Sequence, residues 1–288
     1  MTLHELELTL ANLRHAWHGD EWPGLPKVVQ SCLAQLNLRA PPKNTRIQAI
    51  SKCLQSLSAL MEQEGRALAR KQQEPPYHNR LHTADTLVAL TTLLLRSRAL
   101  DQTGATTPSE CEWLGLLAML GHDFRHPGQI NRFQQDIESA TVAQLRPLMR
   151  DCGLSVADQA HVAALILFTD PLQAPPLHQK WRDPHHFDLQ QLECMAILLE
   201  EADILASCLP ETGPALGQSL KQEWQRVHFT AAESVATAAG RRQFLKTSLF
   251  SSPASRDLAI PQKVAQQILS SEPRRHRRTP ASKPDQIT

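Results

Sequence analysis

A chain of 288 residues can form one large domain or two small ones, and it is long enough to bury a core. Its 30 basic and 29 acidic residues give no strong signal for nucleic acid or for an anionic membrane surface. No apolar run approaches the roughly 20 residues that cross a bilayer. The N-terminus lacks the features of a signal peptide, and the six cysteines form no Cys-x-x-Cys pair. We therefore expect a cytoplasmic protein with reduced thiols.

Apolar residues recur every three or four positions along most of the chain, and strand-like alternation is nearly absent, which predicts an all-α protein. Prolines predict an ordered loop over 170–187. A second loop is expected over 99–109, and the basic residues 273–288 predict a disordered tail. We expect a helical segment, 1–72, packed on a compact multi-helix core, 73–272. The helical patterns cover residues 5–17, 26–37, 45–70, 79–98, 111–121, 133–150, 156–169, 188–207, 215–229 and 257–271.

Two histidines lie near the start of the predicted helix 79–98. His78 and His82 are four residues apart, so they project from one face if both are helical. Such a pair is within reach of a common metal ion. Alone, such a pair is a weak signal, because a helical histidine pair is more often a surface or capping feature.

The most apolar helix, 111–121, ends in His122 and Asp123. A buried carboxylate is costly unless it is paired or binds a metal. His126 and Asn131 follow around a Pro-Gly turn, which lets the backbone fold back over the site. The alternative is that His122 and Asp123 simply pair with each other at the end of the helix.

A further carboxylate, Asp203, continues the apolar stripe that Leu192, Ala196 and Leu199 form on the helix 188–207. A charge on the core-facing side of a helix needs compensation. Taken alone, this position leaves a role in metal binding undecided.

The combination is more informative than any single position, because two imidazoles and two carboxylates come from three predicted helices. The four residues are His82, His122, Asp123 and Asp203. Such ligands suit Zn, Fe, Mn or Mg. Asp123 could bridge two ions roughly 3.5–4 Å apart, as in two-metal hydrolases.

At these positions the sequence resembles the HD superfamily, and specifically the catalytic domain of class I cyclic-nucleotide phosphodiesterases. The resemblance rests on two signatures, His78-Asn79-Arg80-Leu81-His82 and His122-Asp123-Phe124-Arg125-His126-Pro127-Gly128-Gln129-Ile130-Asn131. The segments 166–170 and 201–203 are similar to the family's later Thr-Asp segment and last metal aspartate. The resemblance covers about residues 75–210, roughly half of the chain.

This resemblance implies an all-α HD/phosphodiesterase-like bundle that hydrolyses a phosphoester, a 3′,5′-cyclic nucleotide, with a hydroxide activated by two divalent ions. It implies Zn or Fe in the tighter site and Mg or Mn in the second. His82, His122, Asp123 and Asp203 would hold the tighter ion, and Asp123 would bridge to the second. His78 would act as the general acid.

Further roles follow from the resemblance for residues around the metals. His126 would bind a metal-bound water, and Glu138 and Thr169 would lie behind the ligands. Arg80 or Asn131 would absorb phosphate charge. For base recognition, Gln243 and Phe244 are the nearest candidates.

The sequence also departs from the family. Ile204–Ser207 stand where the family usually has Ser-Asn-Pro, and the spacing of Gln243 and Phe244 differs from that of its purine clamp. The metal chemistry therefore transfers better than purine recognition. Three other readings stay open: an HD-type nucleotide phosphomonoesterase, a non-catalytic HD-like metal-binding signalling module, and a helical bundle whose core histidines are satisfied by hydrogen bonds.

Overall fold

The computed structural model describes residues 1–17, 19–41, 43–100, 110–181, 187–225 and 227–271. These residues contain helices and no strand, which confirms the all-α prediction. The helices are α1 (Leu3–Ala16), α2 (Leu25–Gln35), α3 (Thr45–Arg70), α4 (Arg80–Leu100), α5 (Glu110–Gly121), α6 (Asp136–Asp151), α7 (Val156–Leu167), α8 (Ala174–Lys180), α9 (Leu192–Cys208), α10 (Gly213–Trp224), α11 (Phe229–Val235), α12 (Ala238–Thr247), α13 (Pro253–Asp257) and α14 (Ile260–Ser270).

Three helices, α4, α5 and α9, form the centre of the fold. α4 packs on both of the others, and α5 also contacts α3 and α7. Nearly every residue of α5 is buried, as its continuous apolar sequence predicts. A side chain at Gly115 would place its Cβ 2.7 Å from Met195 Sδ, so this glycine permits the close approach of α5 to α9.

The N-terminal helices pack against this centre. α1 and α2 lie on α4, and α3 lies on α5. α1 begins with a capping box in which Thr2 and Glu5 satisfy each other's backbone N–H groups. Asn44 caps α3, and its side chain accepts from the N–H of Ile47. Whether residues 1–72 form a separate unit stays a prediction.

Several predicted boundaries were wrong. The expected loop 170–187 contains α8, whose two prolines occupy the first turn, where no N–H donor is needed. The predicted helix 215–229 begins earlier and ends at Trp224, and α11, α12 and α13 were not predicted. The start of the predicted loop 99–109 was also wrong, because α4 extends to Leu100. The rest of that loop, 101–109, and the tail 273–288 lie outside the described residues.

All six cysteines are free thiols; Cys111 is half-buried and the other five are buried. None of the helices described is long and apolar enough to span a membrane.

Candidate metal centre

The first turn of α4 carries the first candidate ligand. Asn79 caps this helix, since its Oδ1 accepts from the backbone N–H groups of Leu81 (2.9 Å) and His82 (3.1 Å). His82 points into the core and is 2% exposed. His78 precedes the helix, so the condition that both histidines are helical is not met. Their rings are nevertheless close, with centroids 5.9 Å apart.

The turn that follows α5 carries the second and third candidate ligands, His122 and Asp123. The Nδ1 of His122 lies 2.7 Å from the carbonyl oxygen of Met119. Because a carbonyl can only accept, Nδ1 carries the proton and donates it. The Nε2 of His122 is buried and has no hydrogen-bond partner, although it lies 3.2 Å from Asp123 Oδ2. An imidazole fixed in this way presents its other nitrogen to a common centre.

Asp203, on the last third of α9, completes the group. His82 Nε2 lies 3.0 Å from its Oδ1 and 3.2 Å from Asp123 Oδ2. His122 Nε2 lies 3.3 Å from the same oxygen of Asp203. One atom from each of the four side chains lies within 4.8 Å of the others. The structure thus brings together all four residues predicted as metal ligands.

The electrostatics of the group suit a bound cation. Burial opposes charge on His82, but the carboxylates of Asp123 and Asp203 raise its pKa to about 9. The pKa of His122 is raised in the same way. Burial would raise the pKa values of Asp123 and Asp203, but the neighbouring imidazoles lower them. The two acids therefore favour protonation of the two imidazoles, and a divalent ion could take the place of these protons. The unpartnered Nε2 of His122 fits a metal ligand better than a structural hydrogen bond.

The side chain of His78 is held by a residue that the sequence did not point to. Its Nδ1 forms a short hydrogen bond with Glu223 on α10. The other oxygen of Glu223 accepts from the backbone N–H groups of Tyr77 (2.8 Å) and His78 (3.0 Å). Burial would raise the pKa of Glu223, but these hydrogen bonds hold it below its usual value. Glu223 therefore fixes both the backbone and the ring of His78.

The ring of His126 stacks on that of His78, with centroids 3.6 Å apart. Its Nδ1 accepts from the N–H of Gly128 (3.1 Å), and burial lowers its pKa to about 4, so it is neutral near pH 7. One ligand atom each from His78, Asp123 and His126 lies within 4.8 Å of the others. The predicted role of His126 in binding a metal-bound water stays a prediction.

The loop before α6 places Asn131 and Glu138 together. Asn131 Nδ2 donates to both oxygens of Glu138 (3.1 and 2.9 Å), and its Oδ1 accepts from the N–H of Ile137 (2.8 Å). Both ends of the amide are thus used within the loop, which favours a bracing role over the predicted contact with phosphate. Burial raises the pKa of Glu138, and the charges of Asp170 and Asp123 add to this effect.

Thr169 does not join this cluster through its side chain. Its hydroxyl donates to the carbonyl of Ile166 at the end of α7 (2.8 Å). The next residue, Asp170, is 1% exposed and accepts from the N–H groups of Gln135 (2.9 Å) and Leu172 (3.1 Å). Asp170, rather than Thr169, therefore holds Gln135, the residue just before α6, the helix that carries Glu138.

The predicted contact of Arg80 with substrate stays a prediction, and the structure places its guanidinium among buried carboxylates. Its Nε and Nη2 donate to Glu74 (2.7 and 2.9 Å), and its Nη1 donates to Glu62 (2.6 Å). The guanidinium also lies over the ring of Trp17, 5.0 Å from its centroid. Each of its three nitrogens thus donates to a buried carboxylate, and this network favours a structural role for Arg80 over a contact with phosphate.

The two candidates for base recognition separate. Gln243 is exposed and is not among the residues that line the cavity of Phe244, so its predicted role stays a prediction. Phe244 lines a cavity that also contains Tyr77 and Ser207. The ring of Tyr77 lies 4.7 Å from that of His82, so this cavity adjoins the metal centre.

Comparisons with known proteins agree with the resemblance. Residues 77–171 match the sequence model of the family described as 3′5′-cyclic nucleotide phosphodiesterase. No curated protein sequence matches the chain closely enough to be informative. Among solved structures, LmjPDEB1 in complex with IBMX superposes with a TM-score of 0.62 at 15% identity, over 91% of this chain and 89% of the other. The phosphodiesterase domain of the RhoPDE fusion protein from the choanoflagellate Salpingoeca rosetta gives 0.54 at 19%, over 85% of each chain. The predicted resemblance and fold are therefore confirmed.

Proposed function

We propose that this chain, which has the fold of the cyclic-nucleotide phosphodiesterases and their sequence signature over residues 77–171, is a metal-dependent phosphodiesterase that hydrolyses a 3′,5′-cyclic nucleotide. The observation that carries the proposal is the convergence of His82, His122, Asp123 and Asp203 from α4, the turn after α5 and α9. A purely structural metal site would explain these four side chains. It would not explain the neighbouring His78, which Glu223 holds in a fixed orientation.

The two carboxylates and two imidazoles would hold the tighter of two divalent ions, Zn or Fe, and Asp123 would reach the second, Mg or Mn. When bound, ions in such a site lower the pKa of water toward neutrality and neutralise phosphate charge. These residue types match the ligand preferences of the ions. The identity and number of the ions belong to the proposal.

His78 would supply the proton for the leaving group. Because Glu223 occupies its Nδ1, Nε2 is the nitrogen left to face the substrate. A protonated His78 would donate from Nε2 to the ribose oxygen that departs from phosphorus, and Glu223 would stabilise the charged ring beforehand. His126, neutral and stacked on His78, would restrict the ring to this position.

The site lies among buried helices of one compact bundle, and its substrate would be a small phosphoester rather than a polymer. We propose that residues 73–272 form the catalytic core, with 1–72 packed on it, and that the protein acts in nucleotide signalling in the cytoplasm.

A screen of metal-loaded protein tests the function. Zn with Mg or Mn would be supplied, followed by cyclic AMP, cyclic GMP, the nucleotides 5′-AMP and 5′-GMP, and bis(4-nitrophenyl) phosphate. We expect conversion of a cyclic nucleotide to its 5′-monophosphate without further loss of phosphate. Release of phosphate from the monophosphates alone would indicate a phosphomonoesterase. A stable metal complex that hydrolyses none of these compounds would indicate a binding module.

A further inference from the structure

The cavity beside the metal centre contains a charged residue that the mechanism does not use. It has a volume of about 170 Å³, and we call it the Tyr77 cavity. Its walls are largely apolar, and a guanidinium stands among them. The lining residues that matter here are Tyr77, Ser207, Leu216, Val235, Arg241 and Phe244.

The Tyr77 cavity adjoins the reacting centre through Tyr77 itself. The Tyr77 ring lies 4.7 Å from that of His82 and 4.8 Å from that of His78. Its hydroxyl is 3.0 Å from Ser207 Oγ, and Ser207 is one helical turn beyond Asp203 on α9. A nucleotide whose phosphate lies at the metals would therefore bring its base toward this cavity.

Arg241, on α12, is held in a fixed position against the cavity wall. Its Nη1 donates to the carbonyl of Ser207 (3.1 Å), and its Nη2 donates to the carbonyl of Leu209 (3.1 Å) and to Gln267 Oε1 (2.7 Å). The guanidinium is seated against Gly213, where a Cβ would lie 2.4 Å from Nη1. Only a glycine leaves room for this placement of the charge.

The positive charge of Arg241 is not neutralised by an acid. Among the described residues no carboxylate pairs with it, and burial lowers the pKa of its guanidinium. Three hydrogen bonds use three of the five N–H donors of the group. A half-buried charge with spare donors at the wall of an otherwise apolar cavity suits a ligand that offers acceptors.

The bases of the two common cyclic nucleotides differ in what they offer to such a group. Guanine has acceptors at O6 and N7, whereas adenine has an acceptor at N7 and a donor at N6. A guanidinium can only donate, so it matches guanine and repels the amino group of adenine. This recognition needs no charge on the base.

Resting on the proposed function, we propose that Arg241 is a specificity-determining residue, which makes the Tyr77 cavity select a cyclic nucleotide whose base offers acceptors, as guanine does, over one with the adenine base. We expect kcat/KM for cyclic GMP to exceed that for cyclic AMP by about tenfold, in keeping with the strength of a single hydrogen bond from a charged donor. We expect this difference in kcat/KM to come from a lower KM for cyclic GMP.

A purely structural role for Arg241, binding carbonyls at the end of α9, predicts something else. Replacing Arg241 would then weaken the hydrolysis of both nucleotides to the same extent. The ratio of the two kcat/KM values separates the roles, because it is unaffected by a general loss of folded protein.

The experiment measures this ratio for metal-loaded wild type, Arg241→Gln and Arg241→Lys. Arg242→Gln is the matched control, since Arg242 is the next residue of α12 and does not line the cavity. We expect Arg241→Gln to lower the ratio about tenfold, mainly through a higher KM for cyclic GMP. Arg241→Lys, still a donor-only side chain, retains most of the preference, and Arg242→Gln retains all of it. An equal loss for both nucleotides in Arg241→Gln would overturn the proposal.

Base analogues test the same inference on the wild-type protein, in case the variants do not fold. Cyclic IMP keeps O6 and N7 and should be hydrolysed about as well as cyclic GMP, whereas 7-deaza-cyclic GMP, which lacks N7, should have a higher KM. A wild type that prefers cyclic AMP would refute the inference and leave the proposed function intact. Hydrolysis of bis(4-nitrophenyl) phosphate but of neither cyclic nucleotide would refute both.

Discussion

The imidazole of His78 and the carboxylate of Glu223 are hydrogen-bonded across 145 positions of the sequence. The same carboxylate accepts from two backbone N–H groups of the segment that leads into α4. One acid on α10 therefore positions a histidine next to Asp123, and the histidine itself is not among the four residues that converge as metal ligands.

The role of His78 as a proton donor predicts that His78→Ala lowers kcat by about 10²–10⁴-fold, the usual contribution of a general acid. The metal content should remain that of the wild type, because the four proposed ligands are untouched. Elemental analysis of the purified variant, run beside the kinetics, checks both points. A variant that loses its metal together with its activity would make His78 a ligand instead.

Glu223 acts through His78, so the two substitutions should not be additive. We expect Glu223→Gln to lower kcat about tenfold in the wild-type background and to have little further effect in His78→Ala. Glu233→Gln is a suitable control, since Glu233 has a 47% exposed side chain and pairs with Lys221. Additive effects of Glu223→Gln and His78→Ala in the double variant would show that Glu223 does not act through His78.

Arg80 is predicted to matter for stability and not for substrate binding. Arg80→Met leaves the buried carboxylate of Glu74 without its ion-pair partner and removes one of the two arginines that pair with Glu62, which should lower the free energy of unfolding by about 3–5 kcal/mol. Arg66→Met, at a position whose side chain is 60% exposed, should cost less than about 1 kcal/mol. Urea unfolding gives both values. A tenfold rise in KM with unchanged stability would instead support a contact between Arg80 and the phosphate of the substrate.

The buried pair of His178 and Glu200 should give stability a pH dependence. Their Nε2 and Oε2 atoms are 3.1 Å apart. Burial, and then the charge of Glu201, raises the pKa of Glu200 to about 9, and burial lowers that of His178 to about 4. The folded pair thus keeps one proton up to about pH 9. The unfolded groups, with pKa values of 4.5 and 6.5, hold none above pH 6.5.

The folded pair binds the extra proton in this range, so its contribution to the free energy of unfolding should fall as the pH rises from 6.5 toward 9, by at most about 1.4 kcal/mol per pH unit. Between pH 4.5 and 6.5 both states hold one proton, and the pair contributes no slope. Glu200→Gln, whose neutral amide can still donate to His178, should remove the part of the loss above pH 6.5 that comes from this pair and leave the part that comes from His82 and His122, whose pKa values are also raised. Glu193→Gln on the same helix is the control. Equal slopes in wild type and Glu200→Gln, measured by urea unfolding of metal-free protein, would refute this assignment.

The central helices and the four converging residues could be predicted because their signals are local. The spacing of the two signatures, the apolar run before His122 and the stripe that leads to Asp203 are all visible within single helices. Residues that depend on a distant partner could not be predicted. Nothing near Glu223 marks it as the partner of His78, and nothing near Arg80 shows that Glu62 and Glu74 will occupy its guanidinium.

The C-terminal region was the hardest part to predict for a related reason. α11 and α13 have seven and five residues, which is too short for a clear helical period. In addition, α13 is stabilised by hydrogen bonds to a residue of α9. The carboxylate of Glu201 accepts from the N–H groups of Ser251 (2.6 Å) and Ser252 (2.7 Å) just before α13 begins. Arg241 was missed because its significance lies in the absence of a nearby acid, which only the folded chain reveals.

The central claim is that four side chains hold a catalytic metal, and metal-dependent thermal stability tests it most directly. Wild-type protein stripped with chelator and reloaded with Zn should regain activity and be stabilised by about 2.7 kcal/mol at a free metal concentration 100 times Kd. Asp203→Ala should show neither effect, and Asp151→Ala, at a 73% exposed side chain, should show both. Full activity of the stripped wild type, or a metal-dependent rise in Tm in Asp203→Ala equal to that of the wild type, would contradict the claim.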